Sequence, residues 1–405
     1  MKLHHHRIHN FRHYLKGDLS KFESFLFIHN IGRVLISIFL PIILYMEGFK
    51  VPQILIYLLC YGGFDLVLNL VAREFVFKFG AKNAIILALG FEIFYFVGLI
   101  FLQINWSFLI GLAFLAAVFD SFFYVAHWLI FNEIISRSKD VGNKIGMLNI
   151  VKSVASLITP VIGAMFLIFF NKNYLIGLSI ILFCLSIIPL FGISVKHLKV
   201  KKKKNVFQML KYKETRNNFF LVTLLGIHYQ VEDILLPLFI FLTFSSIETV
   251  SFLPIILAMG SIVFNYFIGK FVDKHEKFRV IIFGALSLGI VWIVRLFFPM
   301  IETFFLSTIF VGFFANMVFV PLEAKLVKSS RHASYLDVST QRNVAYMWLN
   351  PIFYLVLFLS IEVFEISFAV SAFCMFSIVL ISQFLLRDKI KLLKIKEAKD
   401  NKSYM

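Results

Sequence analysis

Leu68 to Lys78 reads LNLVAREFVFK, and Phe264 to Lys274, 196 positions further on, reads FNYFIGKFVDK. Asn69 matches Asn265, Phe75 and Val76 match Phe271 and Val272, and Lys78 matches Lys274. Each copy belongs to a charged interruption, Ala72–Asn83 (AREFVFKFGAKN) and Ile268–Arg279 (IGKFVDKHEKFR), set between apolar runs. The same offset puts Asp120 opposite Asn316, and an offset of 199 puts Ile28 and His29 opposite Ile227 and His228. Matches held in register over this distance read as a unit used twice along the chain.

The runs around these stretches decide the class. The chain has 405 residues, of which 60% are hydrophobic and 16% charged, with a mean hydropathy of +0.86. A soluble globule of that composition could not hide its apolar surface. Runs of about 20 apolar residues, enough to cross a hydrocarbon layer of ~30 Å as helices, recur throughout. Twelve spans are expected, at 22–46, 51–72, 83–104, 106–135, 144–170, 174–195, 218–244, 249–269, 278–298, 301–325, 338–361 and 364–386. The runs are too long and too continuous for the alternating strands of a membrane barrel, so the expected class is all-α and polytopic.

The net charge of +17 raises the question of nucleic acid. Most lysines and arginines crowd into the two tails and the even-numbered connections, whereas the other connections carry Glu47, Glu248 and Glu362. That asymmetry is the positive-inside pattern of a membrane protein. It predicts a multi-pass protein of the cytoplasmic membrane with both termini cytoplasmic, and a nucleic-acid partner is unnecessary. The leader, 1–21, holds His4, His5, His6, His9 and His13; it reads as a solvated basic flank rather than a metal site, and no cleavage signal follows it. Cys60, Cys184 and Cys374 are too scattered for a disulfide framework or metal site. The longest polar interruption, 196–217, includes KVKKKKN and separates six spans (22–195) from six (218–387), with a basic tail at 388–405. Its charge suits a tether to anionic lipid headgroups better than a dedicated partner site.

Two six-span halves, with a glycine-led, acidic and basic stretch after the second span of each, resemble the major facilitator superfamily. Gly269, Asp273, Lys274 and Lys277 fall on the family's glycine, aspartate and basic positions; in the first copy Lys78, Gly80 and Lys82 match, while Arg73 replaces the leading glycine and Phe77 the aspartate. Gly142, Gly146, Pro160 and Gly163 repeat a looser family habit in the fifth span. The resemblance implies two pseudo-symmetric six-helix bundles around a central cavity lined by spans one, four, seven and ten. It also implies that the paired stretches form a breakable latch, in which a carboxylate meets a basic group or a helix N-terminus.

A charge at mid-membrane normally faces a cavity or a partner. His29 and Arg33 lie one turn apart in span one; Asp120, Tyr124 and His127 share a face of span four; His228 and Glu232, with Asp233 beside them, mark span seven; and Asn316 is the polar position of span ten. Lys152 in span five can either reach an anionic group or extend its stem towards the membrane surface. These residues are the expected substrate and ion cavity, with Glu232 or Asp120 as candidates to carry a proton. The competing expectation is structural pairing, such as Arg33 with Asp65 or Asp120. Asp65 is a weaker candidate, and Glu92 and Arg295 are read as packing or bundle-closing groups rather than ligands.

Together these features predict a secondary active transporter that moves a small organic solute by alternating access, coupled to protons, with a lean towards efflux of an amphipathic compound. Uptake of a sugar, peptide or organic anion is the alternative within transport. A non-transporting scaffold or sensor with the same fold is the alternative outside it. No ATP-binding loop or enzymatic motif stands out, so neither catalysis nor a cofactor is expected, no metal is assigned, and a monomer is the expected state.

Overall fold

The computed structural model describes residues 18–135, 141–193, 210–211, 213–274, 276–329 and 334–402. Regular structure among them is helical throughout. The first chain half contains α1 (Asp18–Ser37), α2 (Leu40–Met46), α3 (Val51–Phe79), α4 (Ala81–Ile100), α5 (Trp106–Ile135), α6 (Val141–Phe169) and α7 (Lys172–Phe191). The second contains α8 (Lys213–Gln230), a π turn (Val231–Leu235), α9 (Leu236–Phe244), α10 (Ile247–Lys274), α11 (Lys277–Phe297), α12 (Ile301–Ser329), α13 (Tyr335–Met347), α14 (Asn350–Phe358) and α15 (Val363–Lys402).

Among the described residues, ten helices are long and apolar enough to cross a membrane, counting α1 with α2 as one and α8 through α9 as another. A shorter apolar stretch, Ile247–Ile262, lies in α10. The chain is therefore a multi-pass membrane protein. Large apolar side chains such as Phe169, Phe191, Phe297 and Phe373 stand exposed on its outer surface, the face that lipid would cover.

Three of the expected spans are interrupted, and each interruption sits at a fixed distance from a proline. A proline ring clashes with the carbonyl four residues earlier and offers it no N–H. α1 ends at Ser37, four before Pro41, and α13 ends at Met347, four before Pro351. The residue four before Pro237 is Asp233, and there the helix widens into the π turn, closed by the Leu236 N–H donating to the Val231 carbonyl. Pro160, Pro189, Pro254 and Pro321 lie inside helices that run on unbroken.

The charged interruptions are not loops. α3 continues through Ala72–Phe79, and the turn into α4 is made by Gly80 alone, at φ +86°, a left-handed conformation that a side chain would strain. α10 likewise runs to Lys274. Apolar windows stop at the first charges, whereas a helix can continue through polar residues once it leaves the hydrocarbon. The tail expected at 388–405 also begins as helix, since α15 reaches Lys402. Residues 1–17, with the five leader histidines, and most of the linker at 196–217 lie outside the described residues.

α1 packs on α6 and α7, and α3 and α4 pack on α5; in the second half α11 packs on α12 and α15, α10 on α12, and α8 on α13 and α15. The halves meet along α6 against α10 and along α3 against α13 and α14. Close approach is made by glycine. A Cβ at Gly312 would lie 2.5 Å from the Leu257 carbonyl oxygen, and one at Gly260 would lie 2.6 Å from that of Ile309, so α10 and α12 touch through their backbones. Gly312→Ala is accordingly expected to destabilise the protein by about 1–3 kcal/mol. Gly90→Ala, which meets nothing within 4 Å, should cost nothing or stabilise by about 0.4–1 kcal/mol. Thermal unfolding in detergent, followed by loss of the monodisperse peak, compares the two; equal losses would remove the close-approach argument.

Candidate functional site

A cavity of about 640 Å³ opens between the halves, lined by α1, α3, α5 and α6 on one side and by α8, the π turn, α10, α12 and α13 on the other. Its charged groups are held in a few small networks. On the first-half wall, Arg33 donates from Nη2 to Asp120 Oδ1 at 2.8 Å and from Nη1 to the Tyr124 hydroxyl at 2.7 Å. The guanidinium also lies 5.1 Å from the Phe119 ring centroid, and the Tyr61 hydroxyl donates to Asp120 Oδ2. A carboxylate taken out of water needs this many partners.

Asp65 is different. It is buried and borders the same cavity, but its carboxylate accepts from Ser121 at 2.5 Å and from Asn69 at 2.8 Å rather than from a cation. The Ser121 hydroxyl is also within 3.2 Å of the Asp65 backbone carbonyl, so a rotation of one hydroxyl could release a carboxylate oxygen.

On the second-half wall the π turn separates two neighbouring acids. Glu232 is turned onto Arg295, which is fully buried and donates at 2.5 Å and 3.3 Å to the two carboxylate oxygens and at 2.8 Å to each of Ser307 and Thr308. His228 accepts at its Nδ1 from the Trp292 indole N–H at 2.9 Å. Asp233, one residue on, is exposed to the cavity and has no hydrogen-bond or ion-pair partner among the described residues. Lys152, on α6 across the cavity, is likewise without a partner for its ammonium among them.

Towards the end of the molecule where α1 begins, contacts cross from one half to the other. Arg73 of α3 donates from Nε to Asp337 of α13 at 2.8 Å, and its Nη2 donates to the same oxygen. Asn132 of α5 donates to Ser339 at 3.3 Å. Arg342 of α13 lies 3.9 Å from the Trp128 ring centroid while its Nε donates to Glu323 at 2.7 Å. Nearer the cavity, Asn149 of α6 donates to Asn316 of α12 at 3.3 Å.

Of the residues expected to form the site, Arg33, Asp120, Tyr124, Lys152, His228, Glu232, Asp233 and Asn316 line the cavity. His29 and His127 do not. His29 packs between Phe25, Phe119, Phe123 and Phe183 with Nε2 2.9 Å from Glu92, and His127 stacks on Phe22 and Phe123. Three or four residues along a helix turn a side chain by 300° or 40°, enough to move it from cavity wall to helix interface. Of the expected latch residues, Lys78 is exposed and Lys82 reaches the Phe191 carbonyl within its own half at 3.4 Å. The side chains of Gly269, Asp273 and Lys274 lie outside the described residues, and Lys277 opens α11. Arg73, which departs from the family pattern, is one of the residues that cross the halves.

Helical spans in two halves around a charged cavity are the layout of a membrane transporter. Residues 24–340 match the Major Facilitator Superfamily, and the chain belongs to that family. Among solved structures it is similar to the crystal structure of the human organic anion transporter MFSD10 (TETRAN), with a TM-score of 0.64 at 10% sequence identity, covering 90% of this chain and 98% of that one. No curated protein matches it in sequence.

Removing one member of a buried pair strands the other, at a cost of about 3–5 kcal/mol, whereas replacing both is far milder. Arg295→Met is therefore expected to lower stability by about that amount, and Arg295→Met with Glu232→Leu to recover most of it. A double-mutant cycle of thermal unfolding in detergent checks this, and additive losses would mean that the pair contributes nothing as a pair.

Proposed function

We propose that this chain is a secondary active transporter in which two six-helix halves rock about a shared cavity, carrying a small amphipathic organic solute across the cytoplasmic membrane with protons as the coupling ion. The observation that carries this reading is a cavity walled by both halves whose ionised groups face its interior, with polar contacts such as Arg73–Asp337 joining the halves at one end. Twelve spans are obtained by counting α1 with α2, α8 through α9, and α13 with α14 as single crossings. The packing pairs support the duplication: α1 on α7 corresponds to α8 on α15, α4 on α5 to α11 on α12, and α3 on α5 to α10 on α12. The positive-inside pattern puts the Asp18 end on the cytoplasmic side, and export is the direction this reading favours.

On that orientation the Arg73–Asp337 pair is the inner latch. It must break whenever the cavity opens to the cytoplasm, so it biases the equilibrium between the two states. Arg73→Ala should shift the population towards the inward-open form, raising thiol-reagent labelling of a cysteine placed at Asn69 by about tenfold. The swapped pair Arg73→Asp with Asp337→Arg should bring labelling back down. Labelling unchanged in Arg73→Ala would remove the latch.

For the coupling ion, Glu232 and Asp120 are each matched by an arginine, and a proton on either would leave that arginine without its counter-charge. Asp65 has no such debt, borders the cavity and can exchange its Ser121 bond, so we assign the proton to Asp65. In proteoliposomes carrying a pH gradient, Asp65→Asn should retain solute exchange between equal pools yet lose gradient-driven accumulation. Accumulation by Asp65→Asn that still follows the gradient would exclude it as the carrier. A second reading, movement of an organic anion, is favoured by the unpartnered Lys152 and by the description of the similar human protein as an organic anion transporter.

A further inference from the structure

The cavity's charges can be accounted for one by one. Arg33 is matched by Asp120, Glu232 by Arg295, Arg342 by Glu323, and Glu92 faces His29. Asp65 is satisfied by Ser121 and Asn69. Two groups remain, one of each sign and on opposite walls: the Lys152 ammonium on α6 and the Asp233 carboxylate in the π turn. An ionised group facing a confined, low-dielectric cavity is costly to dehydrate unless a counter-charge arrives with whatever displaces its water.

A neutral solute would dehydrate both groups and compensate neither. A simple anion or cation would compensate one and leave the other stranded. A solute carrying both signs compensates both groups at once as the cavity closes. We infer that the cavity takes a zwitterionic organic solute, with its anionic group at Lys152 and its cationic group at Asp233.

The backbone supports this division. Within the π turn Glu232 lies on Arg295 while Asp233, pointing about 100° away as the next residue along a helix, is open to the cavity. π turns of this kind concentrate at functional sites because they re-aim a side chain without ending the helix. The two groups also belong to different halves of the chain, so a solute that bonds both bridges the halves. Such a solute favours the closed form over either open one, which is the differential affinity that alternating access needs. The inference deepens the transporter reading and rests on it for the route of entry, although binding alone tests it.

The probes are straight-chain ω-amino acids of about four to twelve carbons, short enough for a drug-sized cavity, each with its N-acetyl derivative (anion only) and its amide (cation only). Binding to the purified full-length protein is read by thermal stabilisation against concentration. One chain length is expected to bind about tenfold or more tighter than both singly charged derivatives. Lys152→Gln should make that ω-amino acid and its amide bind equally, and Asp233→Asn should do the same for the ω-amino acid and its N-acetyl derivative. Wild-type protein that binds the N-acetyl derivative as tightly as the zwitterion, or that binds no zwitterion of any length, overturns the inference without recourse to any variant. Uptake into proteoliposomes is scored separately. Charge-dependent binding without uptake upholds the zwitterion site and overturns the transport reading, whereas uptake of the N-acetyl anion alone upholds transport and overturns the zwitterion site.

Discussion

An ionised side chain among lipid-spanning helices must be matched inside the protein, because neither lipid nor bulk water is there to do it. That constraint organises this molecule more than any apolar contact does. Arg33 with Asp120 joins α1 to α5, Arg295 with Glu232 joins α11 to the π turn, and Arg342 with Glu323 joins α13 to α12. Each pair is a cross-link between spans that are otherwise held by the weak selectivity of leucine and phenylalanine against one another. Aromatic and hydroxyl groups complete them: Tyr61 and Tyr124 around the first, Ser307 and Thr308 around the second. Matching within a half makes that half rigid. Matching across halves, as in Arg73 with Asp337, makes a contact that holds only while the two halves stay together.

The spans were legible because an uninterrupted apolar run of membrane length has almost no other physical interpretation. Trp106–Ile135 begins and ends where hydropathy alone places it. The charged ends were not legible in the same way. Ala72–Phe79 reads as an interruption by composition and is helix in fact, since hydropathy reports where the hydrocarbon ends and not where the backbone hydrogen bonds end. The prolines give a similar lesson. Pro41, Pro237 and Pro351 each open the turn four residues earlier, while Pro160, Pro189, Pro254 and Pro321 do not. A proline fixes which carbonyl loses its donor, but packing from neighbouring helices decides whether the helix yields.

The site was legible at the level of which spans carry polar stripes and illegible at the level of partners. Charged residues in apolar runs stand out, which is why Arg33, Asp120, Glu232 and Asp233 could be named. His29 and His127 stand out equally, yet both are absorbed into phenylalanine clusters, because an imidazole ring can stack on aromatic rings. Asp337, Glu323 and Arg342 were missed for the opposite reason. They sit in or beside polar stretches at span ends, where charge is ordinary, and only the fold brings them against α3, α5 and one another. Asp65 stands out in the sequence as well, but nothing in a linear pattern says that Arg33 is already taken by Asp120.

The placement of Arg342 over Trp128 has a consequence of its own. The indole belongs to the first half and the guanidinium to the second, and the chain has only four tryptophans. A cation held against an indole face perturbs its light emission, and pulling the halves apart at this end would lift that perturbation. The protein therefore carries a native optical gauge of the gap between its halves at this end, readable without any attached dye.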